Sequence, residues 1–285
     1  MRITIFGATG MLGKALMRQS TGDQLTGLGS ADADIRSPEQ INRALDETHP
    51  DWIVLSAAYT DVDGCETNRE LATAVNTRGA VNVAEAARQV GAKLLFISTD
   101  YVFNGKKAAP YEADDSRDPI NVYGKTKADA ESGILKVLPD ACIVRTSWVF
   151  GPWGKCFPDT ILKLAANRAE LDVVDDQRGC PTYTFDLAEA IIKLCHAGAK
   201  GTVHCTNSGV CSWYEFASEV VRQSGAKTVV RPTTSDKFVR PAPRPSHSVL
   251  SDASLHKYGI RMRAWQETLR DYLQLRNTAY SRVET

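Results

Sequence analysis

Arg2-Ile-Thr-Ile-Phe6, followed at once by Gly7-Ala-Thr-Gly10-Met-Leu-Gly13, is the stretch on which the fold turns. The first five residues are mostly β-branched or aromatic and read as a buried strand, and Met11 to Arg18 as the helix behind it. Glycines at 7, 10 and 13 let the chain turn sharply, let backbone approach a pyrophosphate, and let the helix pack closely on the strand. The spacing is G-x-x-G-x-x-G and not the G-x-G-x-x-G of two-domain dehydrogenases. A strand, a glycine turn and a helix in that order make a dinucleotide site, with Gly7, Gly10 and Gly13 as cofactor-binding candidates.

About a hundred residues on stands Tyr123-Gly-Lys-Thr-Lys127. Tyr123 and Lys127 are four positions apart, so on a helix they share one face. A free phenol titrates near ~10, and a lysine cation a few ångströms away favours its ionised form. Such a pair suits proton transfer to or from a carbonyl or hydroxyl oxygen. Ser98-Thr99-Asp100-Tyr101 follows the fourth strand, so the Thr99 hydroxyl is placed to bond the same oxygen. Lys127 is expected to reach the nicotinamide ribose as well.

Between these motifs strand and helix alternate. Strands are expected at Gln24 to Leu28, Trp52 to Leu55, Lys93 to Ile97 and Cys142 to Thr146. Ser37-Pro38-Glu39-Gln40 carries an N-cap, a first-turn proline and a capping-box glutamine. Helices are expected over Leu71 to Val90, closed by Gly91, and over Val122 to Val137. This rhythm predicts an α/β fold: a doubly wound, Rossmann-like parallel sheet whose ligands lie at the strands' C-terminal ends. Residues 1–150 form the NAD(P)-binding domain in this reading, its sheet completed by about 182–206. Residues 151–285 then supply mainly a smaller α/β substrate lobe, interleaved with the first domain. There, helices are expected at Phe157 to Asn167, Thr184 to Cys195 and from the capping box Ser212-Trp-Tyr-Glu215 to Ser224, and strands at Leu171 to Val174 and Thr202 to Cys205. Arg231 to Pro245 reads as a loop of the substrate lobe, and the polar tail from Arg276 as frayed.

The 34 basic and 34 acidic residues cancel, which argues against a nucleic-acid surface or a polybasic membrane patch. No apolar run approaches the ~20 residues of a membrane span, and the first residues enter a strand directly, so a cytoplasmic protein is expected. Seven cysteines form no C-x-x-C, and those at 142, 195 and 205 lie in apolar runs, where a free thiol behaves as a small hydrophobe. Neither a disulfide framework nor a metal site is expected.

Taken together, the motifs resemble the extended short-chain dehydrogenase/reductase superfamily and, within it, the dTDP-4-dehydrorhamnose reductase family. The resemblance rests on Gly7-x-x-Gly10-Met-Leu-Gly13, Ala57-Ala-Tyr-Thr60-x-Val-Asp63-x-x-Glu66, Ser98-Thr-Asp-Tyr-Val-Phe103 and Tyr123-Gly-Lys-Thr-Lys127. It continues through Arg145-Thr-Ser-Trp-Val-Phe-Gly151, Asp176-Gln-Arg-Gly-Cys-Pro-Thr182 and Arg244-Pro-x-x-Ser248. By position it implies that Gly10, Met11 and Leu12 touch the pyrophosphate, that Asp34 and Ile35 flank the adenine, and that Ala58, Tyr59 and Thr60 border the cofactor's second half. It makes Thr99, Tyr123 and Lys127 the catalytic set and places Asp100 and Trp148 against the sugar nucleotide. Arg244 is expected to grip the diphosphate with its planar fork. The implied reaction is reduction of the C4 ketone of a dTDP-4-keto-6-deoxy sugar, dTDP-4-dehydro-L-rhamnose above all. The second strand ends Leu28-Gly29-Ser30 without a carboxylate, so NADPH is expected to be preferred and NADH still usable. Some relatives dimerise through magnesium held by glutamates, one of them where this chain has Ala15; a monomer that needs no magnesium is therefore expected.

Two other readings stay open. Sugar-nucleotide dehydratases share the scaffold but carry a glutamate where this chain has Tyr101, a poor base at neutral pH. A non-catalytic nucleotide-binding subunit, such as the regulatory partners of methionine adenosyltransferase, also resembles this family.

Overall fold

Strand β1 (Arg2–Phe6) is buried from its second residue on. Strand geometry sends Ile3 and Ile5 to one face of the sheet and Phe6 to the other. The computed structural model describes residues 1–19 and 22–280. After β1 come α1 (Met11–Leu16), β2 (Gln24–Leu28), α2 (Pro38–Thr48), β3 (Trp52–Leu55), α3 (Val62–Thr67) and α4 (Arg69–Ala72). A π-helical turn, Thr73–Gly79, joins α4 to α5 (Ala80–Val90), and β4 (Lys93–Thr99), α6 (Val122–Val137) and β5 (Cys142–Thr146) follow. The second half holds β6 (Val149–Phe150), α7 (Phe157–Ala165), β7 (Glu170–Val174), β8 (Arg178–Gly179), β9 (Thr182–Tyr183) and α8 (Thr184–His196). It closes with β10 (Gly201–His204), β11 (Cys211–Ser212), α9 (Trp213–Ser224), β12 (Val229–Thr233), α10 (Ala253–His256) and α11 (Trp265–Tyr280).

Six strands form one parallel sheet in the order β10-β5-β4-β3-β1-β2. On one face Ile3, Ile5, Leu95 and Val144 pack with Leu16 of α1 and Leu187 and Ile191 of α8. On the other, Phe6, Ile53, Phe96 and Ile143 pack with Ile41 and Leu45 of α2, Val83 of α5 and Ile134 of α6. Each large aliphatic side chain so buried contributes roughly 1.5–3 kcal/mol, which is why a parallel sheet is stable only when covered on both sides. Strand β1 lies between β2 and β3, so the chain reverses its winding there and opens a crevice at the C-terminal ends of β1 and β3. Beyond the sheet, Phe150, Phe216, Trp265, Leu269 and Tyr272 centre a second core shared by α7, α9 and α11, flanked by the parallel pair β7 and β12.

Several local expectations change. Arg231 to Thr233 are strand, not loop, because Val229–Thr233 pairs with β7 along its whole length; Pro232 is tolerated since β12 is an edge strand. The segment from Arg276 is part of α11, which buries Leu269, Tyr272 and Leu273; residues 281–285 of that tail lie outside the described residues. Gln40 makes no reciprocal capping box: Ser37 accepts its amide, but its own side chain takes the amide of Asp34 at 2.9 Å. The helix expected over 71–90 begins at Arg69 and is wound as a π-turn over Thr73–Gly79. All seven cysteines are free and buried. Among the described residues no helix is long and apolar enough to cross a membrane.

Candidate active site

A cleft of about 730 Å³ runs from the glycine turn after β1, past the ends of β3 and β4, to Trp148 and Trp213 of the second half. That volume suits an extended small-molecule ligand. Gly7 stands at φ +90°, and a Cβ there would lie 2.5 Å from the amide nitrogen of Ala57. A Cβ on Gly13 would strike the carbonyl of Gly7 and, at 2.5 Å, the Cα of Ala8. Both positions therefore require glycine, and the turn they make leaves the first amides of α1 without helical acceptors, beside the cleft. Gly10, Met11 and Leu12 line it, as do Asp34, Ile35, Ala58 and Thr60.

Tyr59 does not. Its amide donates to Oδ1 of Asn76 at 2.7 Å and its carbonyl accepts from Nδ2 of Asn76 at 3.0 Å. Asn76 belongs to the π-turn, and it also donates to Thr126 on α6. The turn thus clamps the segment after β3 to the helix that carries Tyr123 and Lys127, and a one-residue π insertion beside a site is a recurrent device.

Thr99 ends β4, and its hydroxyl donates to Oδ1 of Asp100 at 3.0 Å and faces the Tyr123 phenol. Tyr123 sits in the first turn of α6, whose N-cap, Asn121, accepts the Gly124 amide at 2.7 Å. Burial raises the Tyr123 phenol well above its ordinary range, and the nearby Asp100 carboxyl pushes the same way. Burial thus outweighs the pull that the Lys127 cation was expected to exert on the phenol. The lysine is 2% exposed and its Nζ donates to the Ile97 carbonyl at 2.7 Å, 3.9 Å from the centre of the Phe96 ring. Burial pushes that ammonium down to about 7, against the pull of Glu131 one turn further along α6. Tyr123 is accordingly neutral at pH 7, the state a proton donor needs. Asp100 is 2% exposed, and burial lifts its carboxyl to about 7 despite the hydroxyls of Ser248 and Thr99; its Oδ2 has no partner.

Trp148 lines the far wall with its backbone at φ +47°, stacked on Trp213 with ring centres 3.5 Å apart and planes 9° apart. Arg244 is placed otherwise than expected. It lies outside the cleft lining, and its guanidinium is bound by Asp63 and by the carbonyl of Ala242. Both of these bonds leave from Nη1, and the diphosphate contact expected from the sequence would need the guanidinium to reach a cleft that it does not line.

A family model described as the RmlD substrate binding domain matches residues 1–277. The chain belongs to that family. It is 43% identical over 280 residues to the spore coat polysaccharide biosynthesis protein SpsK of Bacillus subtilis, covering 98% of this chain and 99% of that one. It is 42% identical over 278 residues to the dTDP-4-dehydrorhamnose reductase of Mycobacterium tuberculosis, covering 94% and 91%. The solved dTDP-4-dehydrorhamnose reductase of Bacillus anthracis, in complex with NADP, superposes with a TM-score of 0.92 at 38% identity, covering 95% of this chain and 98% of that one.

In this member of the RmlD family the cleft is also lined by residues to which the sequence assigned no contact. Arg36 joins Gly29 and Ser30 at one end, its guanidinium on the Asp34 carboxylate, and Lys155 and Trp213 join at the other. Trp213 had a signal, since it directly follows the N-cap Ser212, and so did Gly29 and Ser30, at the end of the second strand.

The buried lysine yields a stability prediction. Its ammonium titrates near 10.5 in the unfolded chain and near 7 when folded, so its cost to stability is full below pH 7 and fades as pH rises toward 10.5. Replacement Lys127→Met keeps the volume, loses a hydrogen bond worth about 1–3 kcal/mol and removes a desolvated charge costing several. Thermal melts should show the variant at least as stable as the parent at pH 7, with its advantage shrinking toward pH 10. A lower melting temperature at pH 7 would contradict this.

Proposed function

We propose that this protein is an NADPH-dependent oxidoreductase that reduces the C4 ketone of a dTDP-4-keto-6-deoxy sugar, dTDP-4-dehydro-L-rhamnose to dTDP-L-rhamnose. The observation that carries the reading is the convergence of Thr99, Tyr123 and Lys127 on one cleft with the Gly7–Gly13 turn. The relatives named above as dTDP-4-dehydrorhamnose reductases supply the substrate, and the relative bound to NADP supplies the cofactor.

The residues present suit a dinucleotide. Gly7 and Gly13 cannot bear a side chain without closing the turn, and Gly10, Met11 and Leu12 are the backbone a pyrophosphate would meet. Asp34 and Ile35 serve the adenine end, Ala58 and Thr60 the cofactor's second half, and Lys127 the nicotinamide ribose. Near the end of β2, Asp32 turns back onto the Gly29 amide at 2.7 Å and the Asp34 carboxylate is paired with Arg36, while Ser30 and Arg36 line the cleft. With both carboxylates engaged, neither is free to take a ribose 2′-hydroxyl, and the Arg36 cation beside them favours a 2′-phosphate. When bound, NADPH supplies the hydride that C4 receives.

The chain's own groups do the rest. Thr99 orients the ketone oxygen, and the neutral Tyr123 phenol gives its proton to the developing alkoxide. Stabilising that charge with pre-placed groups is the largest expected contribution to rate. Lys127 supports the phenol and the ribose, and Asp100 and the Trp148–Trp213 stack face the sugar, with residues 151–285 acting mainly as the substrate lobe. Tyr101, where dehydratases need a base, has its phenol raised by burial and cannot take a ring proton at neutral pH. Ala15 is fully buried against α8, so the first helix offers no metal ligand there; the proposed state is a monomer that needs no magnesium, working in the cytoplasm.

Tyr123→Phe removes the proton donor and little volume, so kcat should fall by ~10²-fold or more while NADPH binding persists; near-normal turnover would sink the assigned role. Comparing kcat/KM for the two nicotinamides should favour NADPH, and Arg36→Ala should erode that preference by on the order of tenfold through loss of one charged contact; a parent enzyme that prefers NADH refutes the assignment. Sedimentation with and without a chelator should give one unchanged monomeric species, and a dimer that dissociates on chelation would speak against it.

A further inference from the structure

Two acids of α3, Asp63 and Glu66, belong to a motif that the chemistry above leaves unused. They stand at either end of a closed ring of hydrogen bonds around the N-terminus of α6. Oδ2 of Asp63 accepts from Nε and Nη2 of Arg240, and Oδ1 accepts from Nη1 of Arg244 and from the Ala242 amide. The next carbonyl, Pro243, accepts from Nδ2 of Asn121 at 2.9 Å. Asn121 is the N-cap of α6, and the following amide, Val122, donates to Oε1 of Glu66 at 2.9 Å. Glu66 lies one turn beyond Asp63 on α3, which closes the ring.

The ring leads to the reacting group. The guanidinium of Arg244 faces the Tyr101 phenol, and the Tyr101 ring meets Tyr123 edge-on, with centres 6.1 Å apart and planes at 77°. One carboxylate thus balances two guanidiniums, one of which, Arg244, is only 15% exposed and has little water to turn to. Charge-assisted bonds of this kind fix direction as well as distance.

We propose that Asp63 is a positioning residue for the reduction: from outside the cleft it holds Arg244 against Tyr101 and so sets the direction in which the Tyr123 phenol points. The inference rests on the reading of Tyr123 as proton donor. It gives Arg244 a task in place of the diphosphate contact. It also explains why the 240–244 segment, far along the chain, must return to the helix that begins at Val122.

The test uses the full-length enzyme, with wild type, Asp63→Asn and Asp63→Glu compared in steady-state turnover and in NADPH binding followed by fluorescence. Wild-type turnover is scored first, with dTDP-4-dehydro-L-rhamnose and then other keto-sugar nucleotides. Failure there counts against the proposed function, whereas the variants are judged only relative to an active parent. Asp63→Asn keeps one acceptor but turns an N–H toward the arginines, and misplacement of a reacting group by ~1 Å costs up to ~10²-fold. The expected result is a kcat lower by about 10–100-fold, with both KM values and the NADPH Kd within about twofold of wild type. Asp63→Glu, which keeps the charge, should recover about tenfold of the lost rate. An unchanged kcat overturns the proposal. So does a raised KM for the sugar nucleotide with kcat intact, which would return Arg244 to the substrate. If Asp63→Asn does not fold, Arg244→Lys is read by the same split: lower kcat at constant KM supports the proposal, and raised KM alone overturns it.

Discussion

A parallel sheet covered by helices on both faces commits nearly every strand side chain to packing, so only the strand ends remain for chemistry. Here Ile3, Ile5, Leu95 and Val144 are spent on one core and Phe6, Ile53, Phe96 and Ile143 on the other. The crevice where winding reverses, between β1 and β3, is then a place where the chain leaves room for a ligand. Gly7 and Gly13 make the turn after β1 possible, because a first side-chain atom on either would collide with neighbouring backbone.

The same burial sets the protonation states at the cleft. Taking Lys127, Asp100 and Tyr123 out of water disfavours each charged form, and for the lysine this outweighs the pull of Glu131. The lysine spends its hydrogen bond on a strand carbonyl, the tyrosine keeps its proton, and the aspartate is left with an oxygen that nothing in the protein satisfies. A neighbouring network works the other way. Glu131, also buried, accepts from Ser98 and takes both Nε and Nη2 of Arg145, so its charge is matched, and it ties the end of β4 to β5 and α6.

Much of this was legible from short-range chemistry. The boundaries of β1, β2, β3, β5 and α6 follow from apolar runs bounded by caps and glycines, and the Ser212 capping box forms as its spacing implies. The less legible parts depend on partners distant in sequence. Val229–Thr233 is strand only because β7 offers it an edge, and α11 is anchored by an aromatic core assembled from Phe150, Phe216 and Trp265. The π-turn exists to bring Asn76 to Tyr59 and Thr126, contacts that no local pattern announces.

The sequence by itself determined which groups could act: a glycine turn after the first strand, a tyrosine and a lysine one helical turn apart, and a hydroxyl at the end of the fourth strand. These follow from spacing, since strand and helix periodicities set which side chains share a face. Only the tertiary structure decided what state those groups are in and which neighbours they answer to. Lys127 donates to the Ile97 carbonyl, the Tyr59 backbone is paired with Asn76, and Arg244 is bound by Asp63. The physical reason is that solvation and pairing depend on everything within a few ångströms, and most of those atoms arrive from residues far along the chain.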